Sequence, residues 1–127
     1  MQRPATVSLR ASLFEDASAI VEREYPSDIA LDDIARRVAS SRRQLQRAFA
    51  EVGHTTFREH LTNVRMDRAA ESLVTGHATV RDVAARVGYR QPAQFAKAFR
   101  KRHGVTPSVY RSQIRAGLRS RPGPPAE

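Results

Sequence analysis

The chain repeats itself. Ile34-Ala35-Arg36-Arg37-Val38 returns 49 residues later as Val83-Ala84-Ala85-Arg86-Val87, and Leu45-Gln46-Arg47-Ala48-Phe49 returns 50 residues later as Phe95-Ala96-Lys97-Ala98-Phe99. The extra residue of the second copy falls in the connection between its two segments. Within each segment the apolar residues recur at three- and four-residue spacing, the period of a helix with one buried face. Each copy therefore reads as a short helix, a tight turn and a second helix with basic residues on its outer side. That is the helix-turn-helix pattern, whose second helix enters a DNA major groove.

The rest of the chain reads as helix too, because no segment alternates apolar and polar residues for long and Gly and Pro punctuate helical patterns. Seven helices are expected. The first runs from about Leu9 to Tyr25, with Leu9, Leu13, Ala17, Ile20, Val21 and Tyr25 at helical spacing and Pro26 as its stop. The second covers Leu31 to Val38. Ser41-Arg42-Arg43-Gln44 is a capping box for the third, whose stripe is Leu45, Ala48, Phe49 and Val52, and Gly53 breaks it. Thr56-Phe57-Arg58-Glu59 opens a fourth, about 20 residues long or ~30 Å, which Gly76 ends. Thr79-Val80-Arg81-Asp82 starts the fifth, Pro92 sits in the first turn of the sixth, and a short seventh spans Pro107 to Ile114. The expected fold is all-α, with two helix-turn-helix subdomains joined by a long central helix: residues 1–55, a connecting helix at 56–75, residues 76–115, and a disordered basic tail at 116–127 with Pro122, Pro124 and Pro125.

Charge separates along the chain. Residues 1–82 hold 12 basic and 12 acidic side chains, whereas residues 83–127 hold 10 basic side chains and Glu127 as the one acid, so the net +9 lies in the last third. So one-sided a field draws in polyanions. Only Lys97 and Lys101 are lysines; the other 20 basic residues are arginines, whose guanidinium forks onto phosphate or guanine.

Three longer stretches carry a family likeness. Val83-Ala84-Ala85-Arg86-Val87-Gly88-Tyr89, then Gln94-Phe95-Ala96-Lys97-Ala98-Phe99-Arg100-Lys101, then Gly104-Val105-Thr106-Pro107-Ser108-Val109-Tyr110-Arg111 resemble the signature of the AraC/XylS family of bacterial transcription regulators. The Leu45–Phe49 and Arg65–Ala69 segments fit as well, and the likeness extends from about Leu31 to Arg111. The chain departs from that pattern at four places: Gly53 comes one position early with His54 at the usual glycine of the turn, Ala30 replaces a capping Ser, and Arg90 stands where Ser commonly begins the second recognition helix. The likeness implies a sequence-specific DNA-binding regulator. It matches the small stand-alone members, or a domain severed from a larger effector-responsive regulator, and family members also contact RNA polymerase. Two readers in one chain, about one helical turn of DNA apart, need no two-fold axis. An asymmetric duplex site bound by a monomer is therefore expected.

Helical spacing selects the reading residues. With Leu45, Ala48 and Phe49 inward, Arg43, Gln46, Arg47 and Ala50 share another face. Arg43 and Arg47 suit guanine O6 and N7, and Gln46 suits adenine N6 and N7; family contacts fall at the same three positions. The corresponding face of the sixth helix holds Ala93, Ala96, Lys97 and Arg100, so two alanines replace Arg and Gln there. The first motif is expected to supply most of the direct base readout and the second mainly to anchor, with Gln94 and Lys97 as its base-contact candidates. Phosphate contacts are expected at Ser41 and Arg42, Thr79 and Arg81, Arg90 and Gln91, where helix N-termini favour anions, and at Arg100 and Lys101. Arg65 reads as a structural side chain, an ion pair or a cap for a turn.

Other classes fare worse. The chain has no cysteine, which excludes a disulfide scaffold, a thiolate zinc site and a cysteine nucleophile. His54, His60, His77 and His103 lack metal-ligand spacing, and no Gly-rich phosphate loop or GxSxG elbow occurs, so neither an enzyme nor a cofactor is expected. No apolar run approaches the ~20 residues of a membrane span, and residues 1–10 lack a signal-peptide core, so a cytoplasmic, nucleoid-associated protein is expected. The competing reading is a non-specific architectural DNA binder, which shares the charge but needs no Arg/Gln reading face.

Overall fold

Ser41 sets where the second helix of the first helix-turn-helix begins. Its hydroxyl accepts the Gln44 amide at 3.1 Å, and the Gln44 side chain accepts the Ser41 amide at 3.5 Å, a reciprocal capping box. The computed structural model describes residues 4–119, and every element among them is a helix. In chain order these are α1 (Pro4–Glu24), α2 (Leu31–Arg37), α3 (Arg42–Glu51), α4 (Phe57–Thr75), α5 (Val80–Arg86), α6 (Pro92–His103) and α7 (Pro107–Arg119). Thr56 and Thr79 cap in the same way, accepting the Glu59 and Asp82 amides at 3.1 and 3.0 Å. Neither completes the reciprocal bond of a box. The Glu59 carboxylate instead accepts from the Thr55 hydroxyl at 3.1 Å. α6 has no side-chain cap at Gln91 and relies on Pro92 in its first turn.

The chain divides into two compact units, Met1–Arg65 and Met66–Glu127, with the boundary inside α4. The helix expected as a connector is thus shared between them. In the first unit Leu13, Ala17, Ile20 and Val21 of α1 close over Ile34 and Ala35 of α2 and over Leu45, Ala48 and Phe49 of α3, with Val64 from α4. Phe49 is fully buried, and the Phe14, Phe57 and His60 rings meet it edge-on at 5.3, 5.8 and 5.4 Å. In the second unit the buried side chains among the described residues are Met66, Ala69, Ala70 and Leu73 of α4, Val83 and Ala84 of α5, Val87, Phe95 and Phe99 of α6, and Pro107 of α7. Phe99, the counterpart of Phe49, touches Phe95, His103 and Tyr110.

The repeat reaches further than its sequence signature. Arg65 donates from Nε to the Tyr25 carbonyl at 2.7 Å and from Nη2 to the Ser27 carbonyl at 2.9 Å, tying α4 to the turn that follows α1. Fifty residues later Arg115 donates to the Gly76 carbonyl at 2.7 Å, tying α7 to the turn that follows α4. Arg111 adds a bond to the Leu73 carbonyl at 3.0 Å. The structural role expected for Arg65 is therefore a double carbonyl clasp. Each unit is one helix, a helix-turn-helix and a closing helix whose arginine holds the entrance.

Both copies turn from their first helix to their second through the same hydrogen bonds. Ala39 donates to the Arg36 carbonyl and Ser40 to that of Ala35; Gly88 donates to Ala85 and Tyr89 to Ala84. This Schellman pattern places the middle residue in the left-handed region. In the second copy that residue is Gly88, with φ of 102°. In the first it is Ala39, with φ of 56°, and likewise His54, with φ of 54°, occupies the position that Gly104 fills 50 residues later. The first copy thus holds two L-residues in a conformation that crowds Cβ, at ~1–2 kcal/mol each. Gly53 has a different reason: a Cβ there would stand 2.5 Å from the Phe14 ring and 2.9 Å from the Phe49 carbonyl.

Two helix limits differ from the sequence expectation. α1 begins at Pro4, a residue suited to a first turn, and Leu9, expected inward, is 53% exposed because the helix overruns the core that starts at Leu13. α7 continues to Arg119 instead of ending near Ile114, since the Arg115 clasp anchors its later turns; residues 116–119 of the expected tail are therefore helical. The remainder of that tail, 120–127, lies outside the described residues.

Ala39→Gly relieves the crowded turn and raises unfolding free energy by about 1 kcal/mol, whereas Gly88→Ala lowers it by a similar amount, both read from urea midpoints. His60 generates a pH dependence. Burial among Phe14 and Phe49 holds its imidazole below the ordinary range despite the opposing field of Glu22, and its Nε2 is buried without a hydrogen bond to the described residues. The unfolded chain then takes up a proton near pH ~6.5 that the folded chain resists. Stability falls as the pH drops through that value, and His60→Leu flattens the slope measured between about pH 7.5 and about pH 5.5.

Candidate nucleic-acid interface

Burying one stripe of α3 decides what its other side offers. Leu45, Ala48 and Phe49 are each fully buried, and Arg43, Gln46, Arg47 and Ala50 are all exposed. Arg43, Gln46 and Arg47 make no hydrogen bond or ion pair with the described residues. Three polar side chains with forked or amide donors therefore stand together on one solvent-facing helix surface, two on successive turns.

The arginines sort into two groups. One group holds the fold. Arg37 forks onto both oxygens of Glu24, Nη1 donating to Oε1 at 2.8 Å and Nη2 to Oε2, and these hydrogen bonds hold the Glu24 carboxyl below its usual range. Arg10 pairs with Glu51, and Arg102 meets Asp67 bidentately at 3.0 and 3.1 Å. Arg111 is held at a carbonyl where burial and the neighbouring Arg115 both work against its charge. The other group, without a partner among the described residues, includes Arg43 and Arg47 on α3, Arg81 on α5, Arg90 before α6, and Lys97, Arg100 and Lys101 on α6, every one of them exposed.

The remaining residues named from the sequence take more mixed positions. Gln94 and Gln91 are exposed at the start of α6, Gln91 as the residue that precedes its first turn. The Ser41 and Thr79 hydroxyls are engaged as acceptors in helix caps, which leaves only their own protons to offer an anion. Arg42 is exposed but leans on Asp32 at 3.4 Å, a pair that a sequence separation of ten residues conceals. The sequence pattern assigned Arg86 no DNA contact. Arg86 is the counterpart of Arg37, but Leu73 occupies the position equivalent to Glu24, so Arg86 stays exposed without an ion pair among the described residues. Aligning the two copies residue by residue exposes that difference.

Among the described residues no group of His, Asp and Glu could hold a metal ion, and no helix is long and apolar enough to cross a membrane.

Comparison with known proteins bears on this surface. A helix-turn-helix domain family matches residues 34–113. The regulatory protein SoxS of Escherichia coli is 28% identical over 102 residues, which cover 80% of this chain and 95% of SoxS. The HTH-type transcriptional regulator YtdP of Bacillus subtilis is 31% identical over 97 residues, covering 76% of this chain but only 13% of that protein. The first five relatives are all longer than the matched region, and the chain spans 13% of the first of them and 42% of the fifth. Among solved structures, an AraC-type DNA-binding regulator from Chromobacterium violaceum superposes with a TM-score of 0.80 at 25% identity, over 91% of this chain and 99% of that one. The DNA-binding domain of the global transcriptional factor AdpA, solved with a target DNA, superposes with a TM-score of 0.78 at 26% identity, over 84% of this chain and 96% of that one. With the family match covering well over half of its residues, the chain belongs to the AraC-type helix-turn-helix family of DNA-binding transcription regulators.

Proposed function

We propose that this chain is a sequence-specific DNA-binding transcription regulator that inserts α3 and α6 into adjacent major-groove segments of an asymmetric duplex site, as a monomer. The observation that carries this reading is the α3 surface, where Arg43, Gln46 and Arg47 are exposed and uncommitted opposite a fully buried stripe. Those are the side chains whose geometry distinguishes guanine and adenine in the major groove. AdpA, a related domain solved with its target DNA, supports the choice of duplex DNA as ligand. The cations Arg42, Arg81, Arg90, Arg100 and Lys101, with Gln91 and the capped Ser41 and Thr79, are proposed to meet phosphates. Each neutralised phosphate then releases condensed counterions.

Selection from a random duplex library near physiological salt tests the proposal. An enriched asymmetric motif spanning about two helical turns is the expected result; salt-sensitive binding without enrichment would mark a non-specific architectural binder instead. On the enriched duplex, Arg47→Ala weakens binding by ~1–3 kcal/mol and relaxes the preference at its base pair. Lys101→Ala weakens all duplexes alike and reduces the slope of log K against log salt by about 1.

A further inference from the structure

The two copies differ most where their reading faces correspond. At an offset of 50, Arg43 becomes Ala93, Gln46 becomes Ala96, Arg47 becomes Lys97 and Ala50 becomes Arg100. Both helices bury the same stripe, with Leu45 and Phe49 in one and Phe95 and Phe99 in the other fully enclosed, so the correspondence holds in each unit's own packing. Base edges are met by the N-terminal part of a recognition helix. In α3 that part carries two guanidiniums and a carboxamide. In α6 it carries the methyl groups of Ala93, which is exposed, and Ala96, which is half-buried. A methyl donates no hydrogen bond, and the ammonium of Lys97 is a point charge that lacks the fork of Arg47. The charge of α6 gathers at its far end, in Arg100, Lys101 and Arg102, and Arg102 is already bound to Asp67.

One polar group runs the other way. Gln44 and Gln94 occupy the same third position of their helices. Gln44 is committed to the capping box with Ser41. The residue in the Ser41 position of α6 is Gln91, which makes no side-chain cap, and Gln94 is exposed without a hydrogen bond to the described residues. The carboxamide that the first copy uses for folding is therefore available in the second.

We infer that the two recognition helices are unequal readers: α3 carries the multi-base hydrogen-bonded readout, while α6 reads one base pair through Gln94 and otherwise grips the backbone by charge. This division rests on the DNA-binding function proposed above and assigns specificity within it. Its consequence is a site whose information is concentrated in one segment, with a second segment that tolerates most changes.

Base-by-base substitution of the duplex enriched from a random library tests the division, with the purified full chain at fixed salt. Substitutions in the segment desensitised by Arg47→Ala and Gln46→Ala are expected to cost about tenfold or more at two or more base pairs. In the other segment one base pair is expected to be costly, and Gln94→Ala abolishes that preference alone. A graft supplies the converse. Ala93→Arg with Ala96→Gln places the α3 reading groups on α6 and is expected to yield new base preferences in the second segment on reselection, with those of the first unchanged. Circular dichroism and thermal unfolding confirm that each variant is folded, which the exposed position of Gln94 and Ala93 favours. Equal losses in both segments, a second-segment preference at several base pairs that survives Gln94→Ala, or a graft that leaves that segment without new preferences would overturn the division while leaving sequence-specific binding intact. Failure of the unaltered chain to enrich any sequence would overturn both.

Discussion

The enclosure of Phe49 and Phe99 governs what each unit can present. A recognition helix has no conformational choice about its outer face once its inner stripe is buried, because the 3.6-residue period links the two. Phe49 is pinned from three sides by Phe14, Phe57 and His60, and Phe99 by Phe95, His103 and Tyr110. Truncating either ring would open a cavity at a cost of ~3–5 kcal/mol and free the helix to roll. Packing of this kind supplies rigidity to side chains that themselves make no hydrogen bond or ion pair among the described residues, which is what a precise hydrogen-bonding surface requires.

The positions of the left-handed turns express the same need differently. The angle between α2 and α3 depends on Ala39 accepting a crowded backbone, and the angle between α5 and α6 on Gly88 accepting it at little cost. The hydrogen bonds of the two turns are the same residue for residue. The geometry is thus imposed by the fold and met by whatever residue stands there, and the surrounding contacts of the first unit absorb the strain that its own turn residues create.

Much of this was legible in advance, and the legible part has a common character. The repeat, the capping residues and the buried stripes are short-range patterns, so Ser41, Thr56 and Thr79 fell at helix starts as expected. The exposed face of α3 followed from its buried one. What escaped depends on residues distant in sequence or on conformations that residue type does not announce. Nothing about Ala39 signals a positive φ, although His54 stands at the usual glycine of its turn; nothing in a separation of ten residues signals that Arg42 leans on Asp32, and Leu9 fits the α1 stripe but finds no core to enter. The carbonyl clasps of Arg65 and Arg115 join residues roughly forty apart; Arg65 read as structural from the sequence, but its acceptors did not.

Those clasps have an electrostatic corollary. An arginine that holds a fold through a carboxylate cancels its own charge, as Arg102 does against Asp67. Arg111 and Arg115 hold theirs through carbonyl oxygens and pair with no carboxylate among the described residues. A carbonyl dipole satisfies the donors and leaves the monopole standing, and a monopole is what survives at a distance from the protein surface. The second unit therefore uses the same guanidiniums twice. They fasten α7 to α4, and they add to the long-range field that draws a polyanion inward before any contact forms.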